Sequence, residues 1–218
     1  MTGQSEGGVP LMILAGGRGS RLNGDKALMP FAGATLLDAV INRVRSDDRA
    51  RLIALNANGN PTRFDRFRLP VLADPIPDHP GPLAGILAAM EWAAGLPHRH
   101  AVRVGTVPTD TPFLPENLLD RLEAAADDAP ETAIICAETA RGLHPVVALW
   151  PVCLRDALRD AILRQGVRRV ADFVSRYPLR RVMVADEGFD PLMNINTAAE
   201  LAAAEALVLL GHRVSTAG

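Results

Sequence analysis

The chain has 218 residues, of which 48% are apolar and 22% charged, the composition of a globular protein with a full hydrophobic core. A formal net charge of −2 and an aromatic share of 4% argue against a surface that coats nucleic acid or stacks its bases. The polar N-terminus lacks the pattern of a signal peptide and no apolar stretch reaches the ~18 residues that span a bilayer, so we expect a cytoplasmic protein without membrane contact.

The first predicted element leads into a loop typical of phosphate binding. An apolar strand at residues 11–13 follows a flexible tail over residues 1–9, and the loop LAGGRGSRLNGDK then occupies 14–26. Glycine has no Cβ, so Gly16 and Gly17 permit positive φ and a close approach of the backbone to a ligand. Arg18, Arg21 and Lys26 add positive charge for a polyphosphate. The alternative is a tight strand–helix turn whose charges are solvated.

Two well-known phosphate loops do not fit this stretch. The dinucleotide fingerprint requires Gly or Ala at the position of Leu22. The Walker A pattern is interrupted by Asp25, and Ala27 stands where a magnesium-binding hydroxyl is needed. The loop therefore indicates a different kind of nucleotide site.

Strand and helix patterns alternate along the rest of the chain. Predicted strands cover 51–55, 71–73, 101–107, 133–136, 145–150 and 179–184. Helices are predicted after Thr35, from Pro115, over 152–164 and 167–174, and after Thr197. Another predicted helix runs from Pro82 to Gly95, with an inward stripe of Leu83, Ile86, Leu87, Met90 and Ala94. Cys136 and Cys153 are expected to be reduced thiols in the core.

This alternation predicts an α/β fold: a single three-layer α/β/α domain over residues 10–211, with a Rossmann-like, mostly parallel sheet and a C-terminal tail at 212–218. Ligands of such sheets bind outside the carboxyl ends of the strands, at a topological switch point. That rule selects the glycine loop, Asn56, Asp74 and Asp110 as candidate site residues.

Asp110 lies between two prolines at the end of a predicted buried strand. Magnesium typically takes one or two protein carboxylates and leaves its other positions to water and phosphate, so Asp110 is a candidate ligand. The alternative is an aspartate that caps its own turn. A phosphate loop at the same sheet edge favours the metal.

Four more side chains are candidates for recognising substrates. Asn56 and Asp74 can pair with the donors of a base or ribose, although Asn56 also suits a turn. His144 either contacts a second substrate or simply begins a strand. Asn194 has no evident structural role, whereas Asn196 or Thr197 explains the start of the last helix.

Taken together, these motifs resemble the molybdenum cofactor guanylyltransferases, within the sugar-nucleotidyltransferase-like enzymes. The matching segments extend over nearly the whole chain: LAGG at 14–17 with Arg21-Leu22 and Asp25-Lys26, NAN at 56–58, Asp74 followed by PGPLAG at 80–85, DTP at 110–112, HP at 144–145 and NINT at 194–197.

The resemblance implies a role for each matching residue. Lys26 would bind the phosphates of GTP, Asn56 and Asp74 the nucleoside, and Asp110 the Mg²⁺ ion. Arg21, Lys26 and Asp110 would serve catalysis. The remaining nucleotide contacts would be Leu14, Ala15, Gly16, Gly17 and Gly85, and His144, Asn194 and Asn196 would lie on the side of the acceptor, molybdopterin.

The resemblance also implies an activity: transfer of GMP from GTP to the terminal phosphate of molybdopterin carrying molybdenum, with release of pyrophosphate. It fits a monomer without nucleic-acid partners, and leaves room for transient contact with molybdenum-insertion proteins or molybdoenzymes. One alternative is a cytidylyl- or other nucleotidyltransferase acting on a pterin or sugar phosphate. Another is a non-catalytic carrier or maturation factor that binds the nucleotide or molybdopterin.

Overall fold

The structure is a computed structural model, and it describes residues 8–16, 18–19, 24–45, 52–77, 81–97, 101–186 and 188–211. Its strands are β1 (Leu11–Leu14), β2 (Arg18–Gly19), β3 (Gly24–Asp25), β4 (Pro30–Phe31), β5 (Ala34–Thr35), β6 (Ile53–Asn56), β7 (Val71–Leu72), β8 (Arg103–Pro108), β9 (Ile134–Thr139), β10 (Gly142–Pro151) and β11 (Leu179–Met183). Its α-helices are α1 (Leu36–Arg45), α2 (Pro82–Ala94), α3 (Leu118–Ala124), α4 (Arg155–Leu163), α5 (Val170–Val174) and α6 (Ala198–Leu209). Short 3₁₀ helices cover Lys26–Leu28, Pro61–Phe67 and Val152–Leu154.

The described strands form a seven-stranded sheet in the order β11-β9-β10-β8-β1-β6-β7. The strands β1, β6, β7 and β8 are parallel, and β9 is parallel to β11. Only β10, among these seven, runs antiparallel to both of its neighbours. The predicted mostly parallel sheet is confirmed, and its topological switch point lies between β1 and β8.

Helices cover both faces of the sheet, as predicted for a three-layer domain. Side chains alternate along a strand, so Leu11 and Ile13 pack with α1 and α3 while Met12 packs with α2, α4 and α5 on the other face. Helix α6 joins a third, smaller cluster around Phe31 and Phe113. The central sheet is thereby buried on both sides, which fixes the strand ends that carry the candidate site.

Two buried side chains, Thr106 and Trp150, support an irregular stretch of β10 next to the switch point. The register between β9 and β10 shifts between His144 and Ala148, so β10 carries an irregularity there. The Thr106 hydroxyl in β8 donates to the Val146 carbonyl in this stretch (2.6 Å) and accepts from the Trp150 indole N–H (2.9 Å). Because Thr106 and Trp150 are fully buried, this pair fixes the irregular stretch against β8.

The start signals of three helices are confirmed. Thr35 and Asp38 exchange cap hydrogen bonds at α1, and Thr197 and Glu200 do so at α6. Helix α2 begins at Pro82 and is capped by Gly95. Its buried face is wider than the predicted stripe, because α2 packs against both the sheet and α4. The prediction that Ala94 points inward is wrong: Ala94 is exposed and Ala93 is buried.

Several predicted bounds and one core assignment are also wrong. The helix expected from Pro115 begins at Leu118, and the helices expected over 152–164 and 167–174 are shortened by a 3₁₀ turn and by irregular chain. Cys153 lies in that turn, at Val152–Leu154, and is exposed, whereas Cys136 in the middle of β9 is buried. Burial raises the pKa of the Cys136 thiol to about 12, as expected for an inert core thiol.

The predicted tails lie mostly outside the described residues. At the inner end of the N-terminal segment, Val9 packs against the first core cluster and its N–H donates to Glu123, so Val9 belongs to the packed domain. Within the described ranges, no helix is both long and apolar enough to cross a membrane.

We expect Thr106→Val to destabilise the fold by at least about 2 kcal/mol. The substitution leaves the Trp150 N–H and the Val146 carbonyl without their partner, and each buried unsatisfied group costs roughly 1–3 kcal/mol. Urea unfolding measures the loss, and Thr106→Ser, which keeps the hydroxyl, is the control. A valine variant within about 0.5 kcal/mol of the parent would contradict the assignment.

Candidate active site

A cleft of about 1280 Å³ lies at the carboxyl ends of the central strands. The end of β1 and the loop after β8 form its floor at the switch point, and the irregular stretch of β10 forms one wall. The side chains and backbone that line it include Leu14, Ala15, Gly16, Asp25, Lys26, Asn56, Asn58, Arg63, Asp74, Asp110, His144 and Asn194. Most of the predicted site residues that the structure describes are therefore brought together.

Lys26 is the buried cation of this cleft. Asp25 caps the 3₁₀ helix that begins with Lys26, accepting from the Ala27 N–H at 3.3 Å, and so directs the chain inward. The Lys26 side chain is largely buried, and its ammonium donates to Asp110 Oδ2 at 2.5 Å and to Asn196 Oδ1 at 2.6 Å. Three segments far apart in sequence thus meet at one nitrogen atom.

The second oxygen of the Asp110 carboxylate is buried, and it has no hydrogen-bond partner among the residues that the structure describes. The Asp110 backbone carbonyl accepts from the Ile195 N–H at 2.9 Å, so this residue is fixed at the end of β8. A buried carboxylate oxygen without a donor is costly unless another group satisfies it. Such an oxygen is suited to a cation.

A cluster of amides holds Asp74 on the opposite side of the cleft. The buried Asn56 amide donates to Asp74 Oδ1 at 2.9 Å and to the Leu72 carbonyl at 3.2 Å. Asn58 donates to Asp74 Oδ2 at 2.7 Å and accepts from the Asp74 backbone N–H at 2.9 Å. Each carboxylate oxygen accepts up to two hydrogen bonds, so both can still accept from a ligand.

Gly85 acts through Asn56 and does not line the cleft. It is buried inside α2, and a Cβ at this position would lie 2.5 Å from Asn56 Oδ1 and 3.3 Å from Asn56 Cγ. The resemblance implies a direct nucleotide contact for Gly85. In the structure, the absence of a Cβ at Gly85 leaves room for the Asn56 amide, which donates to Asp74.

The first two residues of the glycine loop use backbone groups to extend the edge of the sheet. The Leu14 carbonyl accepts from the Thr109 N–H, and the Ala15 N–H donates to the Asn56 carbonyl, so these groups belong to the sheet edge. Gly16 does not adopt a positive φ, and a Cβ there would meet Asn56 at an ordinary 3.7 Å. Gly17 and Arg21 lie outside the described residues.

His144 and Asn194 line the cleft on the side of β10. The His144 ring lies 3.0 Å from the Thr139 hydroxyl, and the half-buried position lowers its pKa, an effect that the nearby Asp190 opposes. His144 is therefore neutral at pH 7. Asn196 is not among the residues that line the cleft: its side chain accepts from Lys26, and its backbone N–H donates to Glu200 at the start of α6.

Sequence reasoning missed Asn58, Arg63 and Asp25 as site residues. The first and last residues of the NAN motif gave a signal for Asn58, since a second amide two residues after Asn56 reaches the same side of the strand end. Arg63 donates to Asp25 at 2.5 Å, a contact across 38 positions for which the sequence carries no local signal.

The family model described as MobA-like NTP transferase domain matches residues 11–182. The chain belongs to this family. A molybdenum cofactor guanylyltransferase of Rhodopseudomonas palustris strain HaA2 is 45% identical over 92% of both chains. One of Mesorhizobium japonicum is 44% identical over 90% of this chain and 94% of the relative.

Solved structures agree on the fold. Molybdopterin-guanine dinucleotide biosynthesis protein A of Archaeoglobus fulgidus superimposes with a TM-score of 0.72, covers 93% of this chain and 100% of its own, and is 21% identical. The Rossmann-like architecture of the MobA-like family is therefore the architecture of this chain.

We expect Gly85→Ala to weaken GTP binding by roughly tenfold to a hundredfold, because the added methyl group displaces the Asn56 amide from Asp74. Gly95→Ala is the matched control, since its Cβ meets nothing closer than 3.6 Å and its φ is −89°. Calorimetric titration measures both affinities, and circular dichroism checks the fold. Unchanged GTP affinity in the Gly85 variant would refute the role.

We expect His144 to make the folded state less stable in acid. The lowered pKa means that the unfolded chain binds more protons below about pH 6.5, so stability falls as pH drops from that value through the folded pKa. The stability advantage of the parent over His144→Asn should therefore shrink between pH 7.5 and 5.5, measured by urea unfolding. An advantage that grows in acid would contradict the neutral assignment.

Proposed function

We propose that this chain transfers GMP from GTP to the terminal phosphate of molybdopterin carrying molybdenum, with release of pyrophosphate. The observation that carries the proposal is the position of the Lys26–Asp110 pair in one cleft, between the amide-held Asp74 and the His144–Asn194 wall. Relatives that are 44–45% identical over at least 90% of the chain bear the name of this activity.

The nucleoside binds at Asp74. Guanine presents an N–H and an amino group on one edge, and a carboxylate accepts from both. The amides of Asn56 and Asn58 already satisfy one acceptor site on each oxygen and fix the carboxylate plane. This arrangement favours guanine over adenine, whose corresponding edge carries a ring acceptor.

The triphosphate binds at Lys26, with Gly16 and the residues that follow it, including Gly17 and Arg21, as further contacts. A triphosphate oxygen is a better partner for the ammonium than the Asn196 amide oxygen, because both ligand and lysine are fully charged. Lys26 thus neutralises charge on the phosphates without a proton transfer.

Mg²⁺ fits Asp110. Asp110 Oδ1, which has no hydrogen-bond partner among the described residues, offers a hard oxygen ligand. Magnesium needs few protein ligands when substrate phosphates and water complete its coordination shell. No group of three or more His, Cys, Asp or Glu residues suited to a metal occurs among the described residues, which fits a single-carboxylate site. When bound there, Mg²⁺ would neutralise charge on the nucleotide phosphates.

The acceptor binds along the β10 wall. The cleft volume of about 1280 Å³ exceeds the roughly 300–1,000 Å³ that one small ligand usually occupies, which leaves space for a second substrate. Neutral His144 and the Asn194 amide provide hydrogen-bonding groups without adding charge next to the phosphates.

The reaction is a displacement at phosphorus. An oxygen of the acceptor phosphate attacks the α-phosphorus of GTP, a new P–O bond forms, and the bond to the bridging oxygen of the β-phosphate breaks, so that pyrophosphate leaves with the electron pair. The attacking oxygen is already ionised at neutral pH, and no general base is needed. Catalysis rests on alignment of two substrates in one cleft and on charge neutralisation by Lys26.

A monomeric state, a cytoplasmic location and transient contact with molybdenum-insertion proteins or molybdoenzymes belong to the same proposal. They rest on the family resemblance.

Purified protein incubated with GTP, Mg²⁺ and the molybdenum-loaded pterin should yield the guanine dinucleotide and one pyrophosphate for each product. Asp110→Asn should lower the rate by about 10²–10³-fold, because it removes the charge that faces the phosphate centre. Asp156→Asn, an exposed residue of α4, serves as the control. Product with CTP alone would assign a cytidylyltransferase, and nucleotide binding without pyrophosphate release would assign a carrier.

A further inference from the structure

Arg63 lies on the short 3₁₀ helix Pro61–Phe67, between β6 and β7. Asn60 caps this helix by accepting from the Thr62 N–H at 3.0 Å, and Pro61 occupies its first turn. The cap turns the Arg63 side chain back over the loop that precedes the helix. Its guanidinium lines the cleft and stacks 4.5 Å above the ring of the buried Phe64.

Three described groups accept hydrogen bonds from this guanidinium. Nε donates to Asp25 Oδ2 at 2.5 Å, Nη1 to the Asn60 carbonyl at 2.6 Å, and Nη2 to the Asn58 carbonyl at 2.8 Å. Gly59, between the two carbonyls, has a φ of +82°, which allows the loop to turn both of them toward Arg63. The planar, multi-donor shape of arginine is needed to reach all three acceptors at once.

The two ends of this contact belong to different halves of the cleft. On one side, the 58–60 loop carries Asn58, whose side chain makes two hydrogen bonds with Asp74. On the other side, Asp25 caps the 3₁₀ turn that begins with Lys26. Arg63 is therefore the link between the nucleoside cluster and the phosphate-binding lysine.

We propose that Arg63 is a positioning residue for GTP, which sets Asp74 and Lys26 at a fixed separation by bridging the 58–60 loop to Asp25. The inference rests on the proposed function, because GTP is taken as the ligand. A competing role is a direct charge contact between Arg63 and the triphosphate. The two roles differ in whether loss of Arg63 weakens the binding of both GTP and GMP or the binding of GTP alone.

The first test compares GTP and GMP binding by calorimetry for the parent, Arg63→Gln and Arg63→Lys. A positioning role predicts that both variants bind both ligands about 10–100-fold more weakly, since one or two charge-assisted hydrogen bonds are lost and a lysine cannot replace the fork. Loss confined to GTP, or recovery in the lysine variant, would assign Arg63 to the triphosphate and overturn the proposal.

Arg66 provides a matched control on the same helix. It stacks 4.2 Å above Phe67 and pairs with Asp38 at 2.6 Å, but it contacts the start of α1 and does not line the cleft. Arg66→Gln should leave GTP and GMP affinity unchanged. Thermal unfolding of both variants separates a loss of binding from a loss of fold.

A double-mutant cycle supplies the second test. If Asp25 acts through Arg63, Asp25→Asn should weaken GTP binding, and the double variant Asp25→Asn/Arg63→Gln should be little weaker than Arg63→Gln alone. Additive losses would overturn the link. Should Arg63→Gln fail to fold, Asn58→Ala tests the same path from the other end, with weaker GMP binding expected and unchanged binding contradicting the proposal.

These measurements separate the two levels of inference. A parent protein that binds no GTP would refute the proposed function itself. A parent that binds GTP, together with an Arg63→Gln variant of equal affinity, would refute the positioning role and leave the proposed function intact.

Discussion

The cleft depends on one buried ammonium group. Lys26 is about 9% exposed, and a charge in such a position is tolerated because acceptors surround it. Its partners come from the end of β8 and from the segment before α6, 84 and 170 positions away. Folding therefore cannot bury Lys26 without bringing these segments together. The same requirement holds the Asp110 side chain and the Lys26 side chain together at the switch point.

The two sides of the cleft are built by different structural means. Parallel strand ends and a tightly hydrogen-bonded loop form the Asp74 side, where Asn56, Asn58 and Arg63 leave Asp74 little freedom. The His144 side is an antiparallel strand with an irregular stretch, which Thr106 and Trp150 hold in place. One side is thus organised around a carboxylate and the other around backbone geometry.

The sequence predicted those features whose signals are local. The caps at Thr35 and Thr197 and the start and end of α2 at Pro82 and Gly95 could be predicted without knowing any contact. The same holds for the residues that follow the parallel strands. The direction of β10 was not predictable, because apolar alternation is the same for either direction. The 3₁₀ helix at Pro61–Phe67 was missed because its signal resembles a loop, and with it Arg63. The contacts of Gly85 with Asn56 and of Asn196 with Lys26 were not predictable, because their partners lie on other elements.

The position of Lys26 depends on helix α6, whose side chains are mostly exposed. Of its described residues Ala204 alone is fully buried, and Leu209 near its end is 88% exposed, so little packing opposes its local opening. Yet the residue that precedes its cap, Asn196, holds the buried lysine. Unwinding of this helix would therefore loosen one of the two contacts that hold the Lys26 ammonium. If the proposed triphosphate replaces Asn196 as the partner of Lys26, nucleotide binding removes this contact, and amide hydrogen exchange in the first turn of α6 should quicken, a reporter of occupancy remote from the base.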